Sequence, residues 1–340
     1  MSALPAWATT NGDSLFEARI RSTPSDFIVT EQCDIEFSGE GEHDFLWIEK
    51  TGANTHWVAE QLAKHGGVPV RDVGIAGLKD RHAITRQWFS VRRLGVVDWR
   101  EFAEEGVQIL EQQRHHRKLR RGAHAGNTFK IALRADNLEN QKDEITQRMA
   151  AIAKNGVPNY FGEQRFGRNG SNIDLCKSLF AGRRLSRAKR GIALSAGRSL
   201  IFNSILDVRV RETTWNRILP GELANLDGSG SIFSVDDVSD DLITRCQQQD
   251  IHPSGSLWGD GSPRSGLVVA ELEAAVAANH KEITAGMVAA RMEPASRALR
   301  LLVSDLRWDL QPDVLWLEFA LTKGAYATTV LREIASVKSA

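Results

Sequence analysis

Two stretches far apart in the chain alternate apolar and polar residues with a period of two. NTFKIALR (Asn127–Arg134) puts Phe129, Ile131 and Leu133 on one side, and VLWLEFAL (Val314–Leu321) does the same with Leu315, Leu317, Phe319 and Leu321. This period marks a strand with one buried face, and such a face needs a layer packed on it. Other extended segments precede the first. FEARIRSTPSDFIVTEQ (Phe16–Gln32) is two runs broken at Pro24, because the residue before a proline avoids the helical region. DFLWIEKTG (Asp44–Gly52) ends at a glycine, and Val73–Val91 reads as strand, glycine-bearing loop and a second strand at Arg86–Val91. Helices intervene at Asn54–Gly67, capped by Asn54 or Thr55, and at Lys142–Pro158, where Ile145, Met149 and Ile152 share a face.

From about Pro158 to about Ser304 the texture changes. Helical stretches dominate (Ile173–Phe180, Ser195–Arg211, Leu267–His280, Met287–Leu302), separated by turns such as LDGSGS and HPSGSLWGDGSPRSG. A last helix is expected over Ala325–Ala335. A chain of 340 residues exceeds the usual single core. The pattern is therefore α+β: a sheet-rich domain from residues 1–155 and 305–340, with a mostly helical domain, 156–304, inserted into it.

The net charge is zero, with 43 basic and 43 acidic residues, but the charges are not evenly spread. RHHRKLRR (Arg114–Arg121) carries five basic residues and no acid, and RRLSRAKRGIALSAGR (Arg183–Arg198) carries six and no acid. Either run alone reads equally as a solvated helix face; two of them favour RNA, since phosphates respond to the local field. Cys33, Cys176 and Cys246 are scattered, which gives neither a zinc framework nor a disulfide scaffold and suits a reducing cytoplasm. MSALPAWATTNGD lacks the basic and apolar regions of a signal peptide, and no apolar stretch reaches 18 residues. The expectation is a cytoplasmic protein that does not engage a membrane.

Chemistry concentrates in GIAGLKDRHAITRQWF (Gly74–Phe89), where Asp80 is crowded by Lys79, Arg81 and His82 before a strand. Opposite charge nearby favours a carboxylate over its acid, and a carboxylate is a usable nucleophile. The plainer reading is a surface loop with a structural ion pair. GVPNYFGEQRFGRNGSN (Gly156–Asn172) sets three aromatics beside Arg165 and Arg168, which suits base stacking with phosphate contact; the other reading, an interdomain turn whose rings pack into the core, is the better one for Tyr160 and Phe161 next to Pro158. Phe27 reads as a strand residue, Asn127 as a turn residue whose amide can meet a base edge, and Tyr326 as a helix start after a glycine. There is no phosphate loop, no dinucleotide fingerprint, no H-E-x-x-H and no zinc-deaminase signature. No metal, redox group or other cofactor is expected.

Six segments taken together resemble the tRNA pseudouridine synthase D (TruD) family. They are RSTPSDFIVTE (Arg21–Glu31), GLKDRHAITRQW (Gly77–Trp88), HHRKLRRGAHAGNTF (His115–Phe129), VPNYFGEQRFGRNGSN (Val157–Asn172), LSAGRSLIFN (Leu194–Asn203) and KGAYATTVLREI (Lys323–Ile334). They stand in family order over nearly the whole chain. The resemblance implies a pseudouridine synthase fold, a mixed, mainly antiparallel sheet with flanking helices, carrying an inserted TRUD-type domain. It implies isomerisation of uridine 13 of tRNA, with the Asp of G-x-K-D, here Asp80, as nucleophile. Substrate contacts fall on Phe27 of P-x-D-F, on Asn127 of G-N-x-F, and on the aromatic before the last helix. That aromatic is commonly Phe and is here Tyr326, which keeps the ring and adds a hydroxyl. Phe129 and Arg21 are the implied base-stacking and Asp-pairing groups. The implied partner is tRNA, with no obligate protein partner. The alternatives are a non-catalytic tRNA-binding protein or chaperone of the same fold, and an RNA glycosidase, which would release free uracil.

Overall fold

The computed structural model describes residues 4–261 and 263–339. In chain order the first part contains β1 (Phe16–Ile20), β2 (Phe27–Gln32), β3 (His43–Thr51), α1 (Thr55–His65), β4 (Val73–Ile75), β5 (Ile84–Arg92), β6 (Val107–His115), β7 (Gly126–Arg134) and α2 (Lys142–Asn155). The middle contains β8 (Val157–Pro158), α3 (Ser171–Phe180), α4 (Arg187–Arg211), β9 (Glu222–Leu226), β10 (Ile232–Val235), α5 (Asp240–Gln247), β11 (Ile251–Leu257), α6 (Leu267–Ala278), α7 (Lys281–Ala289), β12 (Ala295–Ala298) and β13 (Arg300–Leu301). The last part is β14 (Ser304–Gln311), β15 (Val314–Thr322), α8 (Ala327–Leu331) and β16 (Ala335–Ser339). Two compact units result. One comprises Ser14–Ala153, Val303–Ala327 and the segment from Ile334 on; the other comprises the segment up to Asp13, Lys154–Leu302 and Thr328–Glu333.

The first unit is organised by a ten-stranded mixed sheet in the order β14-β15-β7-β2-β5-β3-β6, with β1 on β7 and β16, and β4 on β5. Its pairs are antiparallel except β2 with β5 and β1 with β16. The two strands with period-two alternation are neighbours, Phe129 lying opposite Phe319 and Ile131 opposite Leu317. α1 begins where the Asn54 side chain accepts the His56 N–H, and Lys64 and His65 complement its C-terminal dipole. Its apolar face, Val58 and Leu62, packs on Leu46, Ile48, Phe89 and Val91 of the sheet. Because β2 and β5 run parallel, both start at the same end of the sheet, which brings the segments leading into them together. Those segments hold Arg21 and Asp80.

The second unit carries the helices read from the sequence and also a four-stranded sheet, β10-β9-β11-β12, together with the β8–β13 pair. Two helix expectations are corrected. Met287–Leu302 is not one helix: α7 ends at Ala289, Arg291 takes φ +50°, Pro294 follows, and Ala295–Ala298 pairs with Ser254–Leu257 of β11. Ala325–Ala335 is helical only over Ala327–Leu331, and the chain then continues as β16 along β1. In both places a strand edge far away in sequence supplies hydrogen bonds that local periodicity does not reveal.

Candidate active site

The loop between β4 and β5 is fastened to the sheet by polar groups from three elements. Gln87 of β5 donates to the Gly77 carbonyl (3.0 Å), the Lys79 N–H donates to Thr55 Oγ1 of α1 (3.1 Å), and Lys50 Nζ of β3 donates to the Asp80 carbonyl (3.0 Å). These residues are placed by register. Lys50 lies opposite Thr85 of β5, Thr85 beside Val29 of β2, Val29 opposite Phe129 of β7, and Phe129 opposite Phe319 of β15. The next rung on that face holds Gln87, and Glu31 opposite Asn127. One face of the sheet thus presents a polar row and an aromatic row beneath the Asp80 loop.

The Asp80 carboxylate is 28% exposed. Its Oδ1 accepts the His82 N–H (3.0 Å), a short turn that fixes the side chain, and its Oδ2 pairs with Arg21 Nη2 at 2.6 Å. The charge pairing differs from the sequence expectation. Lys79 turns away to Glu31 (Nζ–Oε2 2.8 Å), Arg81 donates to the Gly52 carbonyl, and His82 contributes its main chain alone. Successive side chains of an extended loop point apart, so the cation that meets Asp80 comes from a segment 59 residues away. Arg21 adopts φ +60°, a left-handed conformation costly for a residue with a Cβ. Its guanidinium lies 4.3 Å from the centre of the Phe27 ring. Phe27 meets Phe129 edge-on at 6.5 Å, and Phe129 stacks on Phe319 at 5.5 Å.

Asp80, Arg21, Phe27 and Phe129 therefore form one continuous chain of contacts. Phe27 and Phe129 are buried, so they act as the wall of the site more than as exposed stacking platforms. Asn127 stands two positions before Phe129 on the same strand face, and its buried side-chain oxygen has no hydrogen-bond partner. Tyr326 is half-buried on the turn between β15 and α8, after Gly324 at φ +81°. Glu31, Lys50, Thr55, Gln87 and His124 are the site residues that sequence reading missed. His124 packs against Gly77, where a Cβ would meet its Cε1 at 3.2 Å. Burial, reinforced by Lys79, holds the His124 imidazole below its ordinary range. Glu31, Lys50 and Gln87 are polar residues at inward strand positions, which only the strand pairing identifies; Thr55 on α1 and the loop residue His124 gave no such signal.

Of the two basic runs, Arg117, Lys118, Arg120 and Arg121 are exposed, whereas Arg114 is half-buried and donates to the Gly41 carbonyl. Arg183, Arg184, Arg187, Lys189 and Arg190 are exposed and have no ion-pair partner among the described residues. Arg198 is spent on the Leu257 and Glu293 carbonyls. Among the described residues no group of three or more His, Cys, Asp or Glu side chains gathers as metal ligands would, and no helix is long and apolar enough to cross a membrane.

The family model for tRNA pseudouridine synthase D (TruD) matches residues 9–178 and 179–334. The chain is 45% identical over 329 residues to tRNA pseudouridine synthase D of Methylococcus capsulatus, spanning 95% of this chain and 92% of that one. It is 43% identical over 333 residues to the protein of the same name from Nitrosococcus oceani, spanning 96% and 92%. A Methanosarcina mazei crystal structure, described as a TruD protein, shares the fold with a TM-score of 0.77 over 99% of this chain and 97% of that one, at 19% identity. A carboxylate held beside the aromatic side chains of the sheet thus coincides with likeness along almost the whole sequence, and the chain belongs to the tRNA pseudouridine synthase D (TruD) family.

Proposed function

We propose that the protein isomerises uridine 13 of tRNA to pseudouridine, with Asp80 as the nucleophile. The reaction breaks the N1–C1′ bond of the uridine, turns the ring and joins C5 to C1′; the hydrogen on C5 leaves as a proton and N1 gains one. A stacked nucleotide hides those atoms, so the uridine must leave its stack. The observation that carries this reading is the partly exposed Asp80 carboxylate, aimed by Arg21 and the His82 N–H over the wall of Phe27 and Phe129. Asn127, with an amide oxygen unsatisfied in the protein, is assigned to the base edge, where an unpaired buried polar atom gains most from a partner. Tyr326 is assigned to ring contact with the substrate. Catalysis belongs to the unit containing Ser14–Ala153, and the exposed cations of the two basic runs hold tRNA phosphates.

The test is Asp80→Asn, which keeps the shape and removes the charge. Tritium release from tRNA carrying [5-³H]uridine should fall by about a thousandfold or more, while tRNA affinity stays within about twofold, a change of less than 0.5 kcal/mol. Ordinary turnover by that variant would remove Asp80 from the reaction.

A further inference from the structure

Lys50 is wholly buried on β3. Its ammonium donates to the carbonyl oxygens of Ala53 (2.9 Å) and Asp80 (3.0 Å), and among the described residues it makes no ion pair with a carboxylate. A buried ammonium in contact only with carbonyls is expensive to maintain, and an apolar side chain of similar length would fill the same space at lower cost. What the ammonium does that an apolar chain cannot is hold the main chain of the Asp80 loop. Two other side chains bond to the main chain of that loop, Gln87 to the Gly77 carbonyl and Thr55 to the Lys79 N–H, and both are neutral. Lys50 supplies a charged donor to the loop's main chain, and it grips the residue whose side chain reacts.

We infer that Lys50 is a positioning residue: its protonated side chain fixes the main chain of Asp80 and so aims the carboxylate. The inference rests on the reading of Asp80 as nucleophile. Hydrogen bonds from an ammonium to a carbonyl are charge-assisted and weaken when the nitrogen loses its charge. Burial pushes the Lys50 ammonium down to about 8, with Lys79 pushing the same way and Asp80 opposing. The other charges nearby are already committed: Lys79 to Glu31, Arg21 to Asp80, and Glu49 to Arg86. The sign is therefore set. Positioning is complete below about pH 8 and weakens as pH rises through it.

The experiment measures kcat and KM for tRNA by tritium release between neutral and alkaline pH, for the wild type, Lys50→Met and Lys50→Gln. The wild type should lose kcat severalfold above about pH 8 at steady KM. Lys50→Met should have a kcat lower by roughly tenfold to a hundredfold, the scale of a small misplacement of a reacting group. Its KM should be unchanged and the step near pH 8 absent; ionisation of the uracil bends all three profiles alike. Lys50→Gln, which keeps a neutral donor, should fall between the two and also lack the step. A folded Lys50→Met protein with wild-type kcat and profile overturns the inference. If Lys50→Met does not fold, the Gln variant and the wild-type profile decide: a wild-type kcat with no step near pH 8, or a Gln variant that retains one, overturns it equally. Asp80→Asn separates the two claims. Normal turnover there removes the nucleophile itself, whereas an inert Asp80→Asn beside an unaffected Lys50→Met removes only the role of Lys50.

Discussion

Glu31 and Lys79 sit behind the Asp80 loop with 0% and 4% of their side chains exposed, and the second Glu31 oxygen accepts the Trp88 N–H. A buried pair of this kind adds little net stability, but removing one partner strands the other charge, at about 3–5 kcal/mol. Glu31→Gln should destabilise the protein on that scale in urea unfolding, and Glu31→Gln combined with Lys79→Met should recover most of the loss. A single variant that costs under about 1 kcal/mol would mean that Lys79 simply turns to solvent. At this scale the sequence was informative about chemistry and poor about partners. Asp80 stood out as an acid among bases, yet two of those bases turn their side chains to other groups and the third offers only its N–H. Arg21 was accessible through family resemblance alone, because strand register and not chain proximity makes the pair. Lys50 was hidden for the same reason: within LWIEKTG it reads as a charged end of a strand, and only the sheet shows that it faces inward.

Elements with strong intrinsic patterns were legible. α1, α2, β7 and β15 appear within a few residues of where alternation, helical spacing and caps set them. Elements created by a distant edge were not. β16 is a short run whose residues carry no decisive periodicity; it is a strand because β1 offers it a parallel ladder from Phe16 opposite Ala335 to Ile20 opposite Ser339. Removing the chain from Ala335 on should bare that edge beside the buried Ala18 and Ile20. The expected loss is about 2 kcal/mol, or roughly 4–8 °C in Tm for a unit of this size. An unchanged melting curve would show that β16 is decoration on the sheet. β12 follows the same logic, drawn out of an apparent helix by β11.

For the whole molecule, neutrality conceals separation of charge: five exposed cations between Arg183 and Arg190 stand without acidic partners among the described residues. Replacing Arg187, Lys189 and Arg190 with Gln should weaken tRNA binding and flatten the plot of log Kd against log salt by about 2–3, close to one per lost phosphate contact. An unaltered slope would place the docking surface elsewhere. The sheet in the middle unit was not readable from the sequence: its strand β11 holds Gly and Pro where β-branched residues are usual. The interleaving of the two units bears on how the protein is born. A ribosome delivers β7 long before β15, its neighbour, and everything from Lys154 to Leu302 emerges in the interval. During translation the sheet therefore waits with β7 as an open flank, exposed to the wrong strand, while β9 to β12 can already join from nearby sequence. Competence for tRNA is reached late in synthesis, at the pace of distant strands finding each other.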